Sequence, residues 1–269
     1  MLLKILTWNL RRATHKSEAW DIIRRITPDL LILQEVASIP NDLLSTYLCL
    51  SKKARSKGGR EQSFSTTILS RKGALKHYSL YSSIEWIQNE LTYFNGNILA
   101  AEISIENQKP IRIVSVYSPA WFIPKARLEG IDVSDIKLTQ NNNLYCTELL
   151  WAALKEESNN EDVDWIIAGD FNSSTTFDIM WPGGPSGNQE IIDRMNSLGL
   201  TECLYTAENK LVPTFKNARG NKVVHQMDHI FVSQCLFNTL KRCCVLDKES
   251  VFEKSLSDHL PIITEFKLV

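Results

Sequence analysis

The chain has 269 residues, 43% of them hydrophobic and 23% charged, with a formal net charge of −1. That composition supplies a packed core and excludes a disordered chain, while the near-zero charge excludes a global positive field, so any polyanion site has to be built locally. No apolar run approaches the roughly 20 residues of a membrane span, so none is expected.

The opening "MLLKILTWNL" has an apolar run too short for a secretion signal and no small-residue cleavage site, which predicts a first strand over 2–8 and a cytoplasmic location. In "SEAWDIIRRITPD", Ser17 can cap a helix whose face carries Trp20, Ile23 and Ile26 and which Pro28 stops. A strand at 29–34 follows, so the first 36 residues read β–α–β. "KKARSKGGR" at 52–60 reads as a basic, glycine-containing loop.

Further strands are expected at 64–70, 97–105, 111–117, 163–169, 223–232 and 260–268. Helices are expected around Thr147, Leu150, Trp151 and Leu154, and around Ile191, Ile192, Met195 and Leu198 with Gly199 as terminator. Strands that follow one another directly favour antiparallel pairs, so the pattern predicts a mixed sheet, or two packed sheets with helices outside, in one domain over 1–269. The six cysteines form no C-x-x-C pair, and buried free thiols are expected.

The apolar runs share one peculiarity, a polar or ionisable residue at their edge. Asn9 follows "LLKILTW", Glu35 follows "DLLILQ", Tyr117 ends "IRIVSVY", and Asp170 and Asn172 end "DWIIAGDFN". Asp228 opens "DHIFVS", and Asp258 and His259 close "SLSDH". Each alone has a structural reading: a turn for Asn9 or Asp170, a pair with Arg24 or Arg25 for Glu35, an N-cap for Asp258. Together they would converge, because strand ends of one sheet lie side by side.

Carboxylate and amide oxygens with few imidazoles and no thiolates suit a hard cation such as Mg²⁺ or Mn²⁺. Phosphodiester hydrolysis needs an oriented water, neutralisation of phosphoryl charge and help for the leaving oxygen. Asp170 with Asn172 offers a base and a neutral donor on one face of an extended chain. His259 oriented by Asp228 offers the cationic donor.

Asn9 in "TWNL", Glu35 in "LQEV", Tyr117 in "VYSP", "GDFN", Asp228 in "QMDHIFVS" and "SDHLP" occur in the order found in the endonuclease/exonuclease/phosphatase (DNase-I-like) superfamily, which the chain resembles from residue 3 to 266. The resemblance implies a four-layered α/β sandwich of two packed mixed sheets flanked by helices. It implies Glu35 as the metal carboxylate with Asn9 beside it and Asp258 assisting, and Asp170 positioning or deprotonating the attacking water. By the same resemblance Asn172 and Tyr117 contact phosphate, and His259, oriented by Asp228, stabilises the transition state. Leu10, Arg11 and Arg12 depart from the acidic or Asn residue and Gly of abasic-site endonucleases, and Ser173 and Ser174 from the basic residue of tyrosyl-DNA phosphodiesterases.

The leading expectation is therefore a metal-dependent nuclease acting on DNA or RNA, with no obligate protein partner evident. Arg11, Arg12, His15, Lys16 and the 52–60 segment would meet phosphates, and Trp121, Phe122 and Trp181 would form an aromatic rim. A phosphatase of a small molecule or lipid head group is the alternative, gaining if 52–60 faces away from the site. An inactive scaffold would have lost Glu35, Asp170 or His259, and all are present. His15, His77, His225 and His229 are expected at the surface or at strand edges, with His225 and His229 on one strand.

Overall fold

The computed structural model describes residues 1–158, 160–180, 186–217 and 222–268. In chain order its strands are β1 (Leu2–Ala13), β2 (Leu30–Val36), β3 (Leu48–Arg55), β4 (Glu61–Ser70), β5 (Ala74–Tyr78), β6 (Ile98–Ser104) and β7 (Ile111–Tyr117). Then come β8 (Asp164–Asp170), β9 (Leu200–Glu202), β10 (Phe215–Lys216), β11 (Val223–His225), β12 (Asp228–Ser233), β13 (Leu240–Val245) and β14 (Ile262–Lys267). The α-helices are α1 (Ala19–Ile26), α2 (Asn41–Thr46), α3 (Glu85–Tyr93), α4 (Cys146–Glu157), α5 (Thr175–Met180), α6 (Asn188–Ser197), α7 (Cys203–Glu208) and α8 (Gln234–Phe237).

Among the described residues two six-stranded mixed sheets form, ordered β13-β14-β1-β2-β4-β3 and β5-β6-β7-β8-β12-β9, with a separate β10-β11 ribbon. Side-chain alternation along the strands assigns each face. Leu3 and Ile5 of β1, Leu30 and Ile32 of β2, and Ile166 and Ala168 of β8 meet in one core between the sheets. Leu6 and Trp8 of β1 with Leu31 and Leu33 of β2 pack outward on Trp20 and Ile23 of α1. Val114, Ile167 and Phe231 pack outward on the other side, against Leu91 of α3, Leu150 of α4 and Met195 of α6. The layers are thus helix, sheet, sheet, helix, each side chain of Leu or Ile size contributing about 1.5–3 kcal/mol on burial.

Local chemistry sets the element ends. The Ser17 hydroxyl accepts from Ala19 N–H at 3.3 Å as α1 begins, and the helix ends at Thr27 in the left-handed region, φ +49°, before Pro28. Gly199, φ +73°, closes the turn after α6 by donating to the Asn196 carbonyl.

Several expectations need correction. Lys52 to Arg55 belong to edge strand β3, paired with β4, and only the hairpin turn lies beyond them; the exposed Lys52 and Lys53 hide the strand. The 223–232 run breaks at Gln226 and Met227, because the Thr214 hydroxyl accepts the N–H groups of Met227 and Asp228, each at 3.1 Å. His225 and His229 therefore sit on different strands, and both are buried. The cysteines divide as well: Cys146, Cys203 and Cys243 are buried, Cys49 and Cys244 half-buried, and Cys235 exposed. Trp181 lies outside the described residues, and no described helix is long and apolar enough to cross a membrane.

Candidate active site

The polar strand ends meet at one end of the inter-sheet core. The alternation that puts Leu3 and Ile5 inward puts Asn9 inward too; by the same count Gln34, Ser115, Tyr117, Asp170 and Asp228 face inward from β2, β7, β8 and β12. The seam between the sheets is apolar along most of its length and polar at this end. Because β7 runs parallel to β8 and β12 antiparallel to it, Tyr117, Asp170 and Asp228 stand level as register partners. β14 runs antiparallel to β1, so the residues ahead of it, including Asp258 and His259, arrive beside Asn9.

Asp170 is the hub, 1% exposed. Across the seam the Asn9 amide donates to its Oδ2 at 3.0 Å. From its own loop the Asn172 backbone N–H donates to Oδ1 at 2.9 Å and the Asn172 amide to Oδ2 at 3.1 Å. The Asx-turn reading of Asp170 therefore holds. The Asn172 amide also donates to the Ser118 carbonyl at 2.7 Å, so its nitrogen is committed to the protein.

His259 is fixed on every side. Its N–H is taken by the Ser257 hydroxyl at 3.0 Å, its carbonyl accepts the Trp8 indole N–H at 2.7 Å, and its ring lies 4.9 Å from the Phe215 ring. Nδ1 donates to Asp228 Oδ2 at 2.8 Å, which leaves Nε2 facing Asp170 Oδ2 at 3.9 Å. The Thr214 hydroxyl donates to the same Asp228 oxygen at 2.7 Å, while Asp228 Oδ1 has no partner among the described residues.

Burial pushes the Asp170 carboxyl up to about 7; Asp228 adds to this, while His259 and the two asparagines oppose it. Burial disfavours the His259 imidazolium, but Asp228 and Asp170 outweigh it and raise His259 to about 10. The cluster thus sets a carboxyl that burial pushes toward its neutral form beside an imidazole that two carboxylates push toward its charged form. Burying such groups unpaired would cost several kcal/mol, and the hydrogen bonds to Asp170, to His259 Nδ1 and to Asp228 Oδ2 offset much of it.

Glu35 lies at the mouth, in the left-handed region at φ +52°. Tyr117 hydrogen-bonds to it, and burial first, then Glu35 and Asp170, raise the phenol far above its ordinary value, so Tyr117 stays a donor. Glu35 pairs with Arg12 at 3.8 Å, not with Arg24, which is held by Asp21 and Asp42, or with Arg25. Asp258 pairs with Arg11 at 3.5 Å and caps no helix. Both arginines sit in a bulge where β1 advances from Asn9 to Ala13 while β2 advances only from Gln34 to Val36.

The oxygen-rich mouth fits a hard divalent ion: Glu35 is partly exposed, and its ion pair with Arg12 exceeds hydrogen-bond distance. Ligand atoms of Asp170, Asp228 and His259 also lie within 4.8 Å of one another. That trio is buried, and its histidine Nδ1 is already bonded to Asp228. Asn9 donates its amide N–H to Asp170 and accepts Arg11 N–H on its side-chain carbonyl at 2.9 Å, so both its polar atoms are engaged within the protein.

Ser118, Thr214 and Ser257 complete the network and escaped sequence reasoning. Ser118 and Ser257 adjoin recognised motifs, but nothing around Thr214 signals its role. Beside Asn172 a cavity of about 440 Å³ opens, walled by Phe171, Phe177, Phe215, Tyr145 and Met227. Trp121 packs half-buried near Phe94, 6.0 Å between rings, while Phe122 lies under Lys57 at 4.3 Å.

Residues 6–259 match the model of the Endonuclease/Exonuclease/phosphatase family, and the chain belongs to that family. No curated protein matches it in sequence. Similar solved structures include an AP endonuclease from Archaeoglobus fulgidus, at 18% identity and a TM-score of 0.69 over 99% of this chain and 100% of that one. The 3′ phosphatase NExo from Neisseria, bound to product DNA hairpin, is 18% identical with a TM-score of 0.67 over 98% and 99% of the two chains. The AP endonuclease LMAP from Leishmania major is 16% identical with a TM-score of 0.64 over 100% and 88%. The fold is that of DNase-I-like proteins, two mixed sheets flanked by helices.

Proposed function

We propose that the chain is a phosphodiester hydrolase of nucleic acid that depends on Mg²⁺ or Mn²⁺. The observation that carries this reading is the hydrogen-bonded line Asn9–Asp170 across the seam, with His259 and Asp228 beside it. Asp170, poised near neutrality, accepts a proton from the attacking water, while Asn9 and Asn172 hold its oxygens in place. His259, kept charged and oriented by Asp228, faces the negative charge that grows on the phosphoryl group and protonates the departing oxygen. Tyr117 adds a neutral donor, and Asn172 stabilises the phosphate side of the site through the loop it closes. Glu35 would hold the divalent ion, with Asn9 and Asp258 flanking it; when bound, the ion withdraws charge from a phosphoryl oxygen.

The rim favours a polyanion. Lys57 of the 52–60 hairpin stacks on Phe122, five residues past Tyr117 in the chain. Arg11 and Arg12 are more than half exposed at the mouth. Two of the similar proteins are AP endonucleases and a third is a 3′ phosphatase bound to DNA. The apolar cavity beside Asn172 favours a second reading, hydrolysis of a small phosphorylated molecule.

The test is a substrate panel of single-stranded, duplex and abasic DNA, RNA, nucleotides and inositol phosphates, with and without chelator. Nucleic acid is expected to be cleaved with Mg²⁺ or Mn²⁺ only. Asp170→Asn and His259→Gln are each expected to lower kcat by about 10³-fold or more with the circular dichroism spectrum unchanged. Full activity in excess chelator, or in either variant, would overturn the mechanism; turnover of small phosphates alone would select the second reading.

A further inference from the structure

Among the described residues Asp228 and His259 form one buried histidine–carboxylate pair. Another involves the very next residue. His229 points to the opposite face of β12, toward the helices, where its Nδ1 lies 3.5 Å from Glu202 Oε1 and 3.3 Å from Gln226 Nε2. All three side chains are buried: His229 is 2% exposed, Glu202 5% and Gln226 0%. The Gln226 amide donates to Glu202 at 3.2 Å, and the other Glu202 oxygen accepts Tyr205 N–H at the start of α7.

The far side of the ring reaches the Asp170 loop. Nε2 lies 3.1 Å from the Ser173 carbonyl. A carbonyl only accepts, so Nε2 carries a proton and donates, whatever the state of Nδ1. The same ring meets Phe171 edge-on, 5.5 Å between centroids at 86°, and is braced from behind by Phe231 at 5.8 Å. His229 therefore holds the residues on both sides of Asn172.

Asn172 is the residue that needs holding. Its φ is +48°, a left-handed conformation that asparagine tolerates better than other side chains, and here it must be kept in one setting for its contacts with Asp170 to form. In that conformation its backbone N–H and its amide both reach Asp170. An ordinary core position would be filled as well by an aromatic ring with no donor, but that ring would leave the Ser173 carbonyl unpartnered by His229.

We propose that His229, braced by Glu202 and Gln226, is a positioning residue: it locks the Asp170–Ser173 turn so that Asn172 stays left-handed and Asp170 stays aimed. The inference rests on the catalytic reading of Asp170, but the lock can be tested without it. Burial alone would lower the His229 pKa, and the Glu202 hydrogen bond and charge reverse this, consistent with a firmly anchored Nδ1.

The experiment uses the full chain in a Glu202→Gln background, which avoids stranding a buried carboxylate. Into it go His229→Phe, which keeps the ring and removes the donor, and His229→Gln, whose amide restores a donor near Nε2. Two quantities are read: amide hydrogen exchange of residues 170–176, and kcat and KM on whichever phosphodiester the wild type cleaves. With Phe, exchange in 170–176 is expected to speed up about tenfold or more while other segments are unchanged, and kcat to fall about tenfold at constant KM. With Gln, both are expected to return to within about threefold of the background. Should the Phe chain not fold, His229→Asn, whose amide reaches the Nδ1 position and not Nε2, carries the same expectation. Unchanged exchange with Phe or Asn, faster exchange spread over the whole chain, or no recovery with Gln would each overturn the lock. If the wild type cleaves no phosphodiester, the functional reading fails and exchange alone decides the lock.

Discussion

Glu148 stands in the first turn of α4, a place where a carboxylate normally faces water and welcomes the helix N-terminus. Here it is 1% exposed; Thr147 donates to one oxygen at 2.7 Å, and the other has no partner among the described residues. Burial pushes its pKa up from 4.5 to about 7, with the Thr147 hydroxyl and nearby backbone N–H groups opposing. A carboxyl raised on folding gives stability that is whole below about 4.5 and is lost as pH rises through about 7. Glu148→Gln is therefore expected to be more stable than wild type at pH 8, by up to about 3 kcal/mol, and to show no such gain at pH 4.5; urea midpoints at the two pH values measure it. Nothing in "CTELLWAALKEE" distinguishes this glutamate from an exposed one, because its burial comes from the packing of α4 on the second sheet. His229 escaped for a related reason: its partners Glu202 and Ser173 are distant in sequence, whereas Asp228 and His259 lie in recognised motifs.

At the scale of the element, β8 shows what is legible and what is not. Its apolar run and its polar end are plain in "DWIIAGDFN", and so is the inward aim of Asp170, which follows from alternation with Ile166 and Ala168. The need for Gly169 is not. Its φ is +138°, and a Cβ there would lie 2.2 Å from the Val116 carbonyl oxygen and 2.7 Å from the Gln34 amide nitrogen, which reaches across the seam. The glycine lets the strand approach the facing sheet just before Asp170 emerges. Gly169→Ala is expected to cost about 3 kcal/mol in the denaturant midpoint and to lower activity in the surviving folded fraction. The edge strand β3 and the break between β11 and β12 were illegible because solvent exposure and the Thr214 hydroxyl, respectively, override local pattern.

For the whole molecule, a net charge of −1 says little, because charge is distributed by place. The mouth gathers Glu35 and Asp258 over buried Asp170 and Asp228, and a polyanion would be repelled without Arg11 and Arg12. Both arginines adopt left-handed backbone, φ +46° and +62°, an unusual expense for residues whose ion pairs are long and exposed. Anisotropy titrations of a labelled single-stranded oligonucleotide in chelator, over a range of salt, are expected to show a shallower dependence for Arg11→Ala/Arg12→Ala, by about 1.4 in the log–log slope. Equal slopes would remove both residues from the contact.

The hydrogen bond from Asn9 to Asp170 has an end in each sheet. Asn9, Glu35 and His259 arrive with the first sheet, Tyr117, Asp170 and Asp228 with the second, so in the proposed mechanism the working distances are also a gauge of how closely the two halves are pressed together. Packing errors far down the apolar seam, such as a shortened Ile5 or Ile166, would then register as lost turnover before they register as unfolding.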